Sequence, residues 1–443
     1  MSMLERVRAQ ESTRLEQDTA RATREHERAV LDRLRSDLIE RLGLSVVSAL
    51  AGSQDETGAR RELSVALESL LNTRAYGDVP AQDHGRLTRE VLDGILGLGP
   101  LQPLLDDATV TEVMVNGVQS LFYECGGALH PAQRVFDSPD QIMMVVDRIL
   151  APLGRRLDES SPIVNARLAN GYRVNAVLAG VGIDGPYVTI RKFSDRITSL
   201  ARLVELQALP AWYAELLRWA VRMRADVAVA GGTGSGKTTL LNALSCEIDP
   251  GERIVTIEDS AELRFDPRAH VVRLEAREAS IEGQGRVTIR DLVINSLRMR
   301  PDRIVVGEVR GEECVDMLQA MNTGHDGSLT TLHAGSADEA VLRLVLMARF
   351  GMDLPTDIIE EQIASALDLV VMSARLEDGA RRITTLSTVS RAPAGGVQLD
   401  ECVTFDAVSR SWSLAREPAY VEEGVRLGLL DEEEVRAWRQ DVS

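Results

Sequence analysis

The residues Gly231-Gly232-Thr233-Gly234-Ser235-Gly236-Lys237-Thr238 satisfy the pattern G-x-x-x-x-G-K-[ST] in full. An apolar run, Val227 to Ala230, precedes them, and a helix-forming run, Thr239 to Leu244, follows. Strand, glycine loop and helix in that order make a phosphate cradle. The glycines let backbone N–H groups converge on phosphate oxygens without Cβ clashes, and the helix N-terminus adds positive potential. Lys237 is the point charge for the β and γ phosphates, and Thr238 supplies a hydroxyl to Mg2+. The spacing predicts ATP as the ligand and its hydrolysis as the reaction.

Ligands in open α/β sheets sit at the carboxyl ends of strands. Three further strand ends therefore matter. Arg253–Ile257 runs into Glu258-Asp259, where a carboxylate can orient the attacking water. A solvated loop after a buried strand accounts for the same residues. Arg303–Val306 runs into Gly307-Glu308, which places Glu308 to organise Mg2+ or its water shell. An ordinary Walker B strand carries Asp where Gly307 stands. Ser328–Leu332 runs into His333, and the spacing supports a γ-phosphate sensor and a structural histidine equally.

These side chains need a rigid support. From residue 226 strands and helices alternate. Strands are predicted at Asp226–Ala230, Arg253–Ile257, Arg303–Val306, Ser328–Leu332 and Leu369–Met372. Helices are predicted at Lys237–Ser245, Val287–Met299, Glu313–Asn322, Ala337–Phe350 and Thr356–Leu367. Such alternation implies a mostly parallel sheet covered on both faces, an α/β class. Antiparallel strands are expected from Arg382, then an acidic helix over Asp431–Gln440. Upstream, strands at Val110–Val115, Leu121–Tyr123, Arg173–Leu178 and Tyr187–Arg191 with a helix at Gln141–Leu150 predict a smaller α+β domain. Helices over Arg61–Leu96 lead into it, with a break near Tyr76–Pro80. The charged run from Leu4 to about Leu44 reads as a helix, because Val30, Leu34, Leu38 and Leu42 recur on one stripe. That stripe suits a packed face or a partner-docking face. The expected divisions are residues 1–60, 61–197 and 198–443, with a linker near Ile197–Pro210.

Composition narrows the partners. The chain has 443 residues, a net charge of −18 and a pI near 4.9. Aromatics are 4% of residues, so neither charge nor stacking favours nucleic acid. The four cysteines, Cys125, Cys246, Cys314 and Cys402, form no C-x-x-C pair, and a reducing, cytoplasmic setting is expected. No run reaches the ~18–20 apolar residues of a membrane span.

Together these residues resemble the secretion ATPase superfamily of type II and type IV secretion and type IV pili. Within it the tight-adherence (Tad) pilus branch, CpaF-type, looks closest. The resemblance rests on the phosphate loop through Thr239 and on an aspartate box, Ile254–Asp259 with Glu262. It rests also on an atypical Walker B region, Arg298–Gly311, and a histidine box, Asn322–Ala334. Upstream it takes in Leu96–Leu101, Val113–Gly117, Gly154–Pro162, Ala166–Leu168, Arg173–Val177 and Thr189–Phe193. It implies an N-terminal α/β domain joined by a short linker to a RecA-like ATPase domain. It implies homo-hexameric rings with nucleotide held between the two domains. Glu258 would be the general base, Glu308 would act through Mg2+, and His333 would contact the γ-phosphate side. Arg173 and Arg191 would neutralise transition-state charge, with Arg155, Arg156 and Arg167 as further candidates. The implied role is a cytoplasmic motor that pushes on an inner-membrane platform protein during pilus assembly or secretion. It needs no nucleic acid and no membrane span of its own. Gly335 departs from the family's usual Asn, and the zinc-binding C-x-x-C pairs of some type II secretion ATPases are missing. A RecA-type nucleic-acid motor and a non-catalytic nucleotide-binding scaffold remain as alternatives.

Overall fold

The computed structural model describes residues 26–52, 55–118, 120–132, 135–168, 170–192, 199–277, 279 and 284–442. The chain divides into two compact units, Met1–Lys192 and Phe193–Ser443. The start of the charged run, residues 4–25, and positions 197–198 of the expected linker lie outside the described residues.

The first unit opens with helices. Over residues 26–42, Val30, Leu34 and Leu38 are buried, so the stripe is a packed face. They join Leu63, Leu67 and Leu71 of the helix Glu56–Leu71, and Leu87 and Val91 of the helix Ala81–Ile95. Tyr76 plugs the break between those two helices, and its hydroxyl donates to Asp37 at 2.6 Å.

The unit's sheet comprises β1 (Val110–Asn116), β2 (Leu121–Cys125), β3 (Ala128–Pro131), β4 (Ile163–Arg167), β5 (Arg173–Val177) and β6 (Tyr187–Arg191). All pairings are antiparallel, in the order β3-β2-β1-β6-β5-β4. One face sets Val113, Val115, Val174, Val188 and Ile190 against Ile142, Val145, Val146 and Ile149 of the helix Pro139–Leu150. The opposite positions turn outward, as an antiparallel sheet with one solvated face requires. β3 and β4 were not expected. β3 is exposed throughout and β4 buries only Val164, so neither shows apolar alternation.

The second unit holds β7 (Val227–Gly231), β8 (Ile254–Glu258), β9 (Val271–Glu275), β10 (Arg303–Val306), β11 (Leu329–His333), β12 (Leu369–Arg375), β13 (Arg381–Arg391), β14 (Val397–Asp406) and β15 (Ser411–Leu414). Their order is β15-β14-β13-β12-β7-β11-β10-β8-β9. From β12 across to β9 the pairings are parallel, and β12 to β15 form an antiparallel extension. Alternate residues of the central strands enter two different cores. Val227, Val229, Val305 and Val371 face one, while Ala228, Ala230, Val306 and Val370 face the other. Burial on both sides explains why these strands are continuous apolar runs. The edge strand β9 is only half-buried and lacked that signature.

The helices Lys237–Ser245, Ile289–Ser296, Glu313–Met321, Ala337–Gly351 and Thr356–Ala366 lie where the sequence predicts helices. β8, β10 and β11 stand on one flank of β7 and β12 on the other. The sheet therefore changes direction of growth at the strand that carries the glycine loop, the place where such folds bind ligands. No helix among the described residues is long and apolar enough to cross a membrane.

Candidate active site

The loop after β7 leads directly into the helix Lys237–Ser245, which starts at Gly236 with no side-chain cap. Its first N–H groups are thus open to an anion, as a phosphate site needs. Lys237 is buried, and its Nζ donates to the carbonyls of Gly231 at 3.1 Å and Gly232 at 3.0 Å. Burial lowers the affinity of its amine for a proton, and Glu308 pulls the other way. Ser235 Oγ lies 2.8 Å from Ser373 Oγ, so the loop is tied sideways to β12. Gly232, Thr233, Gly234 and Thr239 are exposed, and Thr238 is half-buried in the first helical turn.

Parallel pairing sets His333 beside Gly231. His333 Nδ1 lies 3.5 Å from Lys237 Nζ, and its Nε2 lies 2.8 Å from Glu308 Oε1. Burial and the Lys237 charge push the imidazole pKa below its ordinary value. The ring thus stands with Nδ1 beside the ammonium and Nε2 beside the carboxylate, while Glu308 Oε1 accepts no hydrogen bond among the described residues. Glu308 also pairs with Arg310, which reaches Asp259 at 3.0 Å. Lys237, His333, Glu308, Arg310 and Asp259 form one continuous chain of contacts.

Glu258 ends β8 and is buried. Its Oε2 accepts from the backbone N–H of Glu262 at 2.7 Å and of Leu263 at 3.0 Å. Its Oε1 is buried and accepts no hydrogen bond among the described residues. Burial raises the carboxyl pKa, and the two N–H donors partly offset that rise. A group so placed has one oxygen fixed and one available for a proton, which is the arrangement of a general base.

β8 and β10 pair side by side. A Cβ on Gly307 would sit 3.1 Å from Glu258 Cγ. Gly335, the other departure noted above, donates its N–H to Glu339 Oε2 at 2.7 Å, at the start of the helix Ala337–Gly351.

The arginines expected to meet phosphate belong to the first unit. Register places Arg173 opposite Arg191 and Arg167 opposite Arg173, so the three form a row across β4, β5 and β6. Arg155 donates to the Asn165 carbonyl at 2.6 Å. Nothing in the sequence singles out Arg310, Ser373 or Arg381. Arg381 Nε donates to the Gly234 carbonyl at 3.0 Å. Its proximity to the loop comes from strand pairing across a long stretch of chain, which leaves no local signal.

Thr238 and Glu308 offer a hydroxyl and a carboxylate, hard oxygen donors that suit Mg2+. Among the described residues no group of three or more His, Cys, Asp or Glu could hold a metal ion. Such a donor set fits an ion held largely by phosphate oxygens and water rather than by a protein cage.

The sequence pattern of the type II/IV secretion system proteins matches residues 95–401. A Mycobacterium tuberculosis (strain H37Rv) protein named for conjugal transfer is 38% identical over 305 residues, covering 67% of this chain and 86% of its own. Conjugal transfer protein TrbB of Rhizobium radiobacter is 33% identical over 311 residues, covering 68% of this chain and 90% of its own. The type IV secretion system protein PtlH of Bordetella pertussis is 35% identical over 311 residues, covering 64% and 91%. With its full phosphate loop on an α/β sheet, the chain belongs to the type II/IV secretion system protein family.

Proposed function

We propose that this chain hydrolyses Mg2+-ATP in a homo-hexameric motor of the tight-adherence pilus type. The motor works at the cytoplasmic face of the inner membrane, against a membrane platform protein. The observation that carries the chemistry is the carboxylate of Glu258, with one oxygen pinned by two N–H groups and the other unpartnered. The loop N–H groups and Lys237 hold the β and γ phosphates. Thr238 and Glu308 hold Mg2+, which when bound shields the charge of the phosphates. Glu258 orients a water toward the γ-phosphate and takes its proton. His333, neutral between Lys237 and Glu308, reads whether that phosphate is present. Arg173 and Arg191 supply the cations that neutralise charge in the transition state. The Tad assignment is supported by the motif set and by the missing C-x-x-C pairs.

The decisive comparison is Glu258→Gln against the wild type. The amide keeps the shape and loses the base. ATP turnover is expected to fall ~10²–10⁴-fold while nucleotide binding is retained. Full turnover by Glu258→Gln removes Glu258 from the mechanism, and absence of Mg2+-dependent turnover in the wild type removes the motor.

A further inference from the structure

Two arginines stand over the phosphate loop on the flank away from Glu308 and His333. Arg375 ends β12, Arg381 begins β13, and the hairpin register sets them directly opposite each other. Paired residues on antiparallel strands share a face, and like charges there repel. Among the described residues neither arginine makes an ion pair, and Asp378 in the turn between them is bonded to Arg410 at 2.7 Å.

Both reach the loop. Arg381 Nε donates to the Gly234 carbonyl at 3.0 Å. Arg375 Nη1 lies 3.8 Å from the place a Cβ would take on Gly234. Ser373, two residues earlier on the same face of β12, holds Ser235 at 2.8 Å. Both arginines are exposed, so solvent screens much of their repulsion; two guanidinium groups without a carboxylate partner beside an anion cradle are nonetheless placed to meet a bound negative charge.

The sheet order tells which part of the ligand they meet. His333, Glu308 and Glu258 follow β11, β10 and β8, on one flank of β7; the arginines lie on the other. A nucleotide whose terminal phosphate faces Glu258 extends its α-phosphate and nucleoside toward β12 and β13. We propose that Arg375 and Arg381 bind the α-phosphate and thereby set affinity for ATP and ADP alike. This rests on the phosphate-loop reading above. The planar, permanently charged fork suits a phosphate.

Glutamine carries its amide nitrogen where arginine carries Nε. Arg381→Gln therefore keeps the donor to Gly234 and removes only the outer fork. The test titrates the whole chain with fluorescent analogues of ADP and ATP. Arg375→Gln and Arg381→Gln are each expected to raise Kd about tenfold, equally for both nucleotides. Lys237→Ala is expected to abolish binding of both. Wild-type affinity in Arg381→Gln, whatever Arg381→Ala does, makes Arg381 a prop for the loop and overturns the proposal. A loss confined to ATP places the arginines at the γ-phosphate and overturns it too. If the arginine variants bind normally while Lys237→Ala does not, this proposal alone fails. If Lys237→Ala binds normally, the loop reading fails and takes this one with it.

Discussion

Glu258 Cγ and a Cβ at position 307 would stand 3.1 Å apart, inside the ~3.5–4.0 Å at which carbon atoms pack comfortably. Glycine at 307 is what lets the buried carboxylate sit at the carboxyl end of β10. The acidic residue usual at that point is displaced one step, to Glu308, where it meets His333 and Arg310. Gly307→Ala is expected to push Glu258 aside. Steady-state ATPase measurements should show turnover lowered roughly ten- to a hundred-fold, since small misplacements are costly in catalysis. Nucleotide Kd should change less than about twofold, because the loop is untouched; unaltered turnover would show that this close seat is unnecessary. At this scale the places of Lys237, Glu258, Glu308 and His333 at or just beyond the carboxyl ends of β7, β8, β10 and β11 were legible, because those strands could be read from the sequence. Arg310 and Ser373 were not. An arginine past a strand end reads as surface charge, and a serine within β12 reads as a sheet residue.

Among elements, the amino-terminal end of the sheet depends on one buried cation. Arg303 begins β10 and is 1% exposed. Its Nε and Nη2 grip the two oxygens of Glu252 at 2.8 and 3.1 Å, and its remaining donors go to the carbonyls of Gly327 and Val221. It thereby joins the starts of β8, β10 and β11 to the helix Ala211–Arg222. A Cβ on Gly327, which has φ of 83°, would fall on the guanidinium. Gly327→Ala breaks this buried pair, at a cost of about 3–5 kcal/mol. Thermal unfolding is expected about 10 °C lower, given ~2–4 °C per kcal/mol for a unit of this size. A shift under about 2 °C would mean the guanidinium relaxes freely. The parallel strands were readable because both faces are buried. β3, β4 and β9 were not, since edge strands carry no such run.

Across the second unit the two ends of the sheet carry different electrostatics. The end opposite the phosphate loop buries Asp226, whose Oδ1 accepts from Ser328 N at 2.8 Å, while its own N–H goes to Asp368 Oδ2 at 2.8 Å. Burial, opposed by the backbone donors, pushes the Asp226 carboxyl up to about 8 from 3.8, and burial raises Asp368 as well. A carboxyl with a raised pKa holds its proton longer in the folded chain than in the unfolded one. Its stabilisation is complete below about pH 3.8 and is lost as pH rises through about 8. Asp226→Asn accepts the same hydrogen bond without a charge. Its Tm should exceed that of the wild type at pH 8.5, and the gap should close toward pH 5. A gap independent of pH would count against a proton on Asp226. The other end carries the chain Lys237, His333, Glu308, Arg310, Asp259, which runs across the ends of β7, β11, β10 and β8. Cations and carboxylates alternate along it with one neutral ring between, so a charge added at either end is felt at the other. A phosphate seated at Lys237 therefore adds its charge at one end of a relay whose other end is the exposed carboxylate of Asp259.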